Sequence, residues 1–270
     1  MRLAVTHETV YRFENPAVRA IQTLRLTPRN TEAQLVQNWR IDVSQDCRLS
    51  PVEDAFGNLT HSFSIDGPID ELSIVASGVV VTEDTAGVLH GTRERLPLAV
   101  YCRVTDRTRA EAAVREFAHS VAAACEGGRL TVLHALMGQI HERVEIDPEA
   151  PERLPDAVLA KGAATNADVT HLFLAAARVL DIPARCISGH LYDPEATETA
   201  AIHTWAEAHL GDRLGWVGFD ATANMCPTDR WIRIANGLDA LDVAPIRGFR
   251  TFAGAEHMTT RITLRDVGPA

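Results

Sequence analysis

Along the first hundred residues, apolar positions recur in short runs with a period of two. In QNWRIDVS the alternation sets Trp39, Ile41 and Val43 on one face, and ELSIVASGVVVT is dense in β-branched residues, so both stretches are predicted to be strands. Turn-forming clusters fall between such runs at Glu14-Asn15-Pro16, Pro28-Arg29-Asn30, Phe56-Gly57-Asn58 and Asp66-Gly67-Pro68. This spacing predicts a β-rich antiparallel module over residues 1–100.

After Pro97 the apolar period lengthens. Thr108-x-x-Glu111 has the form of a capping box at the head of an Ala-rich run reaching about Cys125. Gly127-Gly128 interrupts that run, and LTVLHALMGQIHERV then places Leu133, Leu136, Met137, Ile140 and Val144 at helical spacing, which predicts a packed helix pair. DPEAPERLP, residues 147–155, carries three prolines and is expected to be a surface connection.

In KGAATNADVTHLFLAAARVLDIPAR, Thr165-x-x-Asp168 can cap a third helix whose first residue is Asn166. Its core stripe is Val169, Leu172, Phe173, Ala176 and Leu180, and it must stop before Pro183. His171 falls on the opposite face. The strands ARCISGHL, HTWAEAHL and GWVGFD follow, and the remainder reads as strand, short helix, loop and final strand. The predicted class is α+β: residues 1–100 form the β module, and residues 101–270 form a core of helices on an antiparallel sheet.

Candidate chemistry gathers at the third helix and the strands after it. A helix N-terminus favours negative charge, so the position of Asn166 is one where a thiolate would be stabilised. On HTWAEAHL, His203, Trp205, Glu207 and His209 share one face. A two-residue turn at Gly211-Asp212 would make paired residue numbers sum to 423 and set His203 opposite Asp220. A shift of two leaves them diagonal neighbours, whereas an odd shift separates their faces. His203 and His209 lie more than about 15 Å apart on a straight strand at ~3.3 Å per residue, so they do not form one metal site.

A helix end, then a strand with His, then a strand with Asp is the order of a thiol acyl-transfer triad. LFLAAARVLDIPARCISGHL, HTWAEAHL, GWVGFDATAN and TDRWIRIANGLDALDVAPIRG together resemble the bacterial transglutaminase-like proteins, with their papain-like core and preceding β module. The resemblance covers nearly the whole chain. That family's pattern runs roughly G-V-C-Q-D, two residues, H, then I-P-A-R, H-A-W and G-W-x-x-F-D-P. Aligned without a gap on Asp168, His171 and Ile182-Pro183-Ala184-Arg185, it puts Asn166 in the place of the cysteine and Thr165 in that of the valine. His203 and Asp220 match the catalytic His and Asp, and Ala221 replaces the proline. A second alignment puts Ala164 in the cysteine's place by adding two residues before the helix; neither supplies a thiol.

Composition sets the wider limits. The chain has 270 residues, 46% of them hydrophobic, enough for one large or two ordinary cores. A net charge of -10 without a Lys/Arg block argues against nucleic acid or an anionic membrane as partner. Five scattered cysteines without C-x-x-C spacing point to a reduced, cytoplasmic compartment. The expectation is a catalytically silent relative that keeps the cleft, needs no cofactor and binds a peptide or protein. Cleft-supporting roles fall to Thr165, Asp168, His171 and Trp205. The alternative is an active hydrolase or acyl transferase using Thr165, Thr170, Cys186 or a His203-activated water. Oligomeric state is not set by the sequence.

Overall fold

A computed structural model describes residues 1–92, 94–196, 198–199 and 201–268. Among the described residues, two antiparallel sheets, one short parallel strand pair and four α-helices form an α+β fold. The first sheet is built on two very long strands, β1 (Arg2–Thr27) and β4 (Leu59–Thr82), joined through β2 (Gln34–Val43) and β3 (Ser50–Glu53). Trp39, Ile41 and Val43 of β2 pack against its core, in keeping with their alternation.

Two of the expected turns are not turns. Glu14-Asn15-Pro16 lies inside β1 and Asp66-Gly67-Pro68 inside β4, where the pairing of the two strands slips between Arg12 and Arg19. Prolines and a glycine on paired strands produce a shared irregularity here, because strand register on either side is enforced by burial of Tyr11, Ala20, Ile65 and Leu72. Gly67 is needed for contact rather than for a turn: a Cβ there would stand 2.1 Å from the Ala17 carbonyl oxygen.

β5 (Val88–Leu89) leaves the first sheet for the second. α1 (Ala112–Ala124) and α2 (Arg129–Arg143) form the expected pair. The predicted capping box does not open α1, however. Thr108 belongs to a short 3-10 turn with Thr105, and the first amides of α1 are taken by the Asp156 carboxylate, which accepts from Glu111 N, Ala113 N and Val114 N. Asp156 sits on a helix the sequence reading did not predict, α3 (Pro155–Lys161), which starts at the last residue of the expected connection, with Pro155 in its first turn, where a missing N–H costs nothing. The parallel pair β6 (Glu145–Ile146) and β7 (Ala163–Ala164) brackets α3.

α4 (Asn166–Val179) begins where expected, with Thr165 Oγ1 accepting from Asp168 N at 3.2 Å. It is buried on every side from Asp168 to Arg178, between the other helices and the second sheet, so its apolar stripe becomes a full circumference. The second sheet runs in the order β12 (Trp231–Gly237), β8 (Ala184–Leu191), β10 (His203–His209), β11 (Trp216–Phe219), β5. The short helix expected after β12 is instead a set of turns held by Asp239 Oδ1, which accepts from Leu241 N and Asp242 N.

The last strands, β13 (Ile246–Thr251) and β14 (Glu256–Asp266), return to the first sheet, where β14 pairs with β1 from Leu3 to Phe13 and also with β9 (Glu198–Thr199). A division at residue 100 therefore does not separate the sheets in space. Leu3, Val5, Val80, Ile262 and Leu264 from the first sheet bury against Ile232 of the second, one continuous apolar contact.

Candidate functional site

The helix end, the His strand and the Asp strand meet at one point. β10 and β11 pair with residue numbers summing to 425, Ala206 opposite Phe219, because the connection is a longer loop closed by Leu210 N to Gly215 O. The two-residue turn at Gly211-Asp212 is not formed. The slip is even, so His203 and Asp220 remain on one face as diagonal neighbours, and His203 Nε2 hydrogen-bonds Asp220 Oδ2 at 2.5 Å.

Asp220 is fully buried at the end of β11, and five hydrogen bonds converge on it. Its Oδ1 accepts from Thr222 N, Thr222 Oγ1 and Ala223 N, and its Oδ2 accepts from His203 and from Trp231 Nε1 at 3.0 Å. Burial alone would raise its pKa, but the hydrogen bonds and charge of His203, with those from Thr222 and Trp231, hold the carboxyl below its ordinary value. An ionised Asp220 only accepts, so the proton of this bond belongs to His203 Nε2, and Nδ1 is the ring nitrogen left outside it. Nδ1 hydrogen-bonds no described residue, and the His203 ring lines a cleft of about 560 Å³. Trp205, buried beneath the same face, places its ring 6.1 Å from that of His203.

Asn166, the first residue of α4, also lines this cleft. Its Oδ1 accepts from Thr204 N at 2.7 Å and Thr204 Oγ1 at 2.6 Å, and its Nδ2 donates to Thr204 O at 3.0 Å and Thr222 Oγ1 at 3.2 Å. The backbone of Thr204 fixes which end of the amide is which, since its N–H can only donate and its C=O only accept. Thr222 passes the contact on, donating to Asp220. A continuous hydrogen-bond path thus runs from Asn166 through Thr222 and Asp220 to His203.

The remaining predicted residues hold the walls. Thr165 is engaged as the cap of α4. Asp168 accepts from Arg153 N, and His171, buried beside it, accepts from Ala240 N at its Nε2, tying α4 to the 240 turn that lines the cleft. Ala164 is buried on β7, just before the cap. Glu207 is drawn into ion pairs with Arg185 at 2.7 Å and Arg233 at 2.8 Å, and His209 packs on Trp216. Among the described residues no hydroxyl or thiol is hydrogen-bonded to the His203 ring. Thr170 Oγ1 is turned to Asn166 O and Thr204, and Cys186 is buried in the core with its thiol pKa pushed up by burial. Thr204, Thr222 and Trp231 are site residues that the sequence reading did not single out. Thr222 stands two residues after Asp220, the spacing at which a turn returns its N–H to an aspartate, and that was the available signal.

Residues 3–81 match the model of the bacterial transglutaminase-like N-terminal region, and residues 115–221 match that of the transglutaminase-like superfamily. The chain belongs to the bacterial transglutaminase-like proteins. An uncharacterized protein of Mycobacterium leprae is 26% identical over 95% of this chain and 96% of its own length. One of Mycobacterium tuberculosis is 25% identical over 99% and 93%. A solved structure from Cytophaga hutchinsonii, described as a candidate cysteine protease, shares the fold with a TM-score of 0.79 over 100% of this chain and 92% of that one, at 17% identity. Within the transglutaminase-like core, the superfamily match ends at Ala221 and so takes in Asn166, His203 and Asp220.

Proposed function

We propose that this chain is a catalytically silent transglutaminase-like protein that binds a peptide or protein segment in its cleft, with Asn166 in the place of the family's nucleophilic cysteine. The observation that carries this reading is the bonding of Asn166. An amide nitrogen has a delocalised lone pair and no thiolate equivalent, and here all four of its hydrogen-bonding positions are engaged by Thr204 and Thr222. The His203–Asp220 pair is retained for its geometry and its contact with ligand. A reduced cytoplasmic location belongs to the same proposal and is supported by the five cysteines, all free.

The test is turnover. Blocked peptide amides, incubated with the protein with and without a primary amine, are expected to release no product above the buffer rate. Release that disappears in His203→Ala would instead establish an active enzyme with another nucleophile. In the same design, Asn166→Cys is expected to react with iodoacetamide faster than any native cysteine, since its sulfur would stand at a helix N-terminus beside an imidazole.

A further inference from the structure

The cleft at Asn166 and His203 shares two wall residues, Ile202 and Pro245, with a second hollow of about 190 Å³. This second hollow belongs to the N-terminal sheet. His7, Thr9 and Tyr11 of β1 alternate onto one face, and β14 adds Thr260 and Met258 directly opposite Thr9 and Tyr11. The two hollows meet where His190, in the wall of the cleft, touches His7, in the wall of the hollow, edge to face with ring centroids 5.5 Å apart.

Both imidazoles are only 2% exposed, yet His190 Nε2 and His7 Nδ1 have no hydrogen-bond partner among the described residues. A buried polar atom left so is costly. Burial lowers the pKa of both rings, that of His7 to about 4, so each is neutral near pH 7 and carries one donor and one acceptor. These two imidazoles thus add no positive charge to either hollow. Charge is poorly served in either hollow: no Lys or Arg lines them among the described residues, and the one carboxylate, Asp193, already faces Arg230.

We propose that the two hollows are subsites of one groove, in which the core and the N-terminal sheet together bind an extended, uncharged, apolar peptide segment with a side chain in each. This rests on the reading that the cleft binds peptide, and assigns the N-terminal sheet a part in recognition.

The test uses acetylated, amidated dipeptide and hexapeptide mixtures of Ala, Leu, Phe and Gly, followed by saturation-transfer NMR and calorimetry on the full chain. Hexapeptides are expected to bind about tenfold or more tighter than dipeptides, the gain of linking two subsites. Thr260→Trp, which fills the second hollow, and Met258→Lys, at a side chain 59% exposed and so tolerant of change, should each remove that gain and leave dipeptide affinity unaltered. Dipeptide binding with no hexapeptide gain, or a gain indifferent to both variants, overturns the two-subsite groove while leaving the cleft reading intact. Equal affinity for hexapeptides carrying one Lys or Glu overturns the uncharged ligand class. Binding of neither mixture overturns both readings.

Discussion

At position 166 an amide differs from a thiol in structure as well as in chemistry. The Asn166 side chain pairs with both backbone groups of Thr204 as a neighbouring strand would, so it fastens the head of α4 to β10 beside His203. Asn166→Ala should lower stability by about 1–3 kcal/mol in urea unfolding, because it orphans the buried Thr204 N–H, while the Thr204 C=O keeps its bond from Thr170 Oγ1. Asn166→Asp, of equal size, should cost at least as much, since it turns an acceptor toward the Thr204 carbonyl. A residue that merely starts a helix would tolerate Asp well. Asp220 gives a pH signature. Its folded pKa lies below its unfolded value of about 3.9, so its stabilisation is complete above that pH and is lost as pH falls through the lower folded value. The urea midpoint of Asp220→Asn should therefore fall short of the parent protein's at pH 7 and converge on it in strong acid.

At the scale of elements, periodicity located α1, α2, α4 and most strands but missed α3, while their ends and pairings depended on residues far away in sequence. α4 is the legible case, since its cap, Thr165, is the residue just before the helix and accepts from Asp168 N three residues on, with no tertiary partner needed. α1 is the opposite case: its cap is Asp156, more than forty residues onward, and the Glu111 side chain makes no capping bond. Asp156→Ala should accordingly cost about 1–2 kcal/mol, and Glu111→Ala under about 0.5, in matched thermal melts. The same reasoning explains the β10–β11 loop. Turn chemistry at Gly211-Asp212 suggests a tight hairpin, yet the actual register is set by burial of Ala206, Ala208, Val217 and Phe219 in the core. The slip from the tight hairpin is even, so His203 still meets Asp220 although the loop is longer; an odd slip would have parted them.

Across the whole molecule the two sheets are held as one body by β13 and β14, which follow the core in sequence yet complete the N-terminal sheet. The buried His7–His190 contact lies on that join. Both rings have folded pKa values below their unfolded ones, so between about pH 6.5 and pH 4 the unfolded chain binds the additional protons and stability falls as pH falls. His7→Phe should flatten the pH dependence over that window, recovering up to about 3 kcal/mol near pH 4, as read from urea midpoints across the range.

The sequence by itself determined the α+β class, the place of α4, and the order of helix end, histidine and aspartate, because each rests on local periodicity, local capping or a motif of short span. It also determined that position 166 carries an amide. Only the tertiary structure decided what that amide does, which residues surround Asp220, and that the N-terminal sheet walls a hollow next to the cleft. Those features join residues 38, 56 or more than 200 positions apart, as in Asn166 with Thr204, Asn166 with Thr222, and Tyr11 with Met258. Contacts of that separation are selected by packing of whole faces, and no local pattern encodes them.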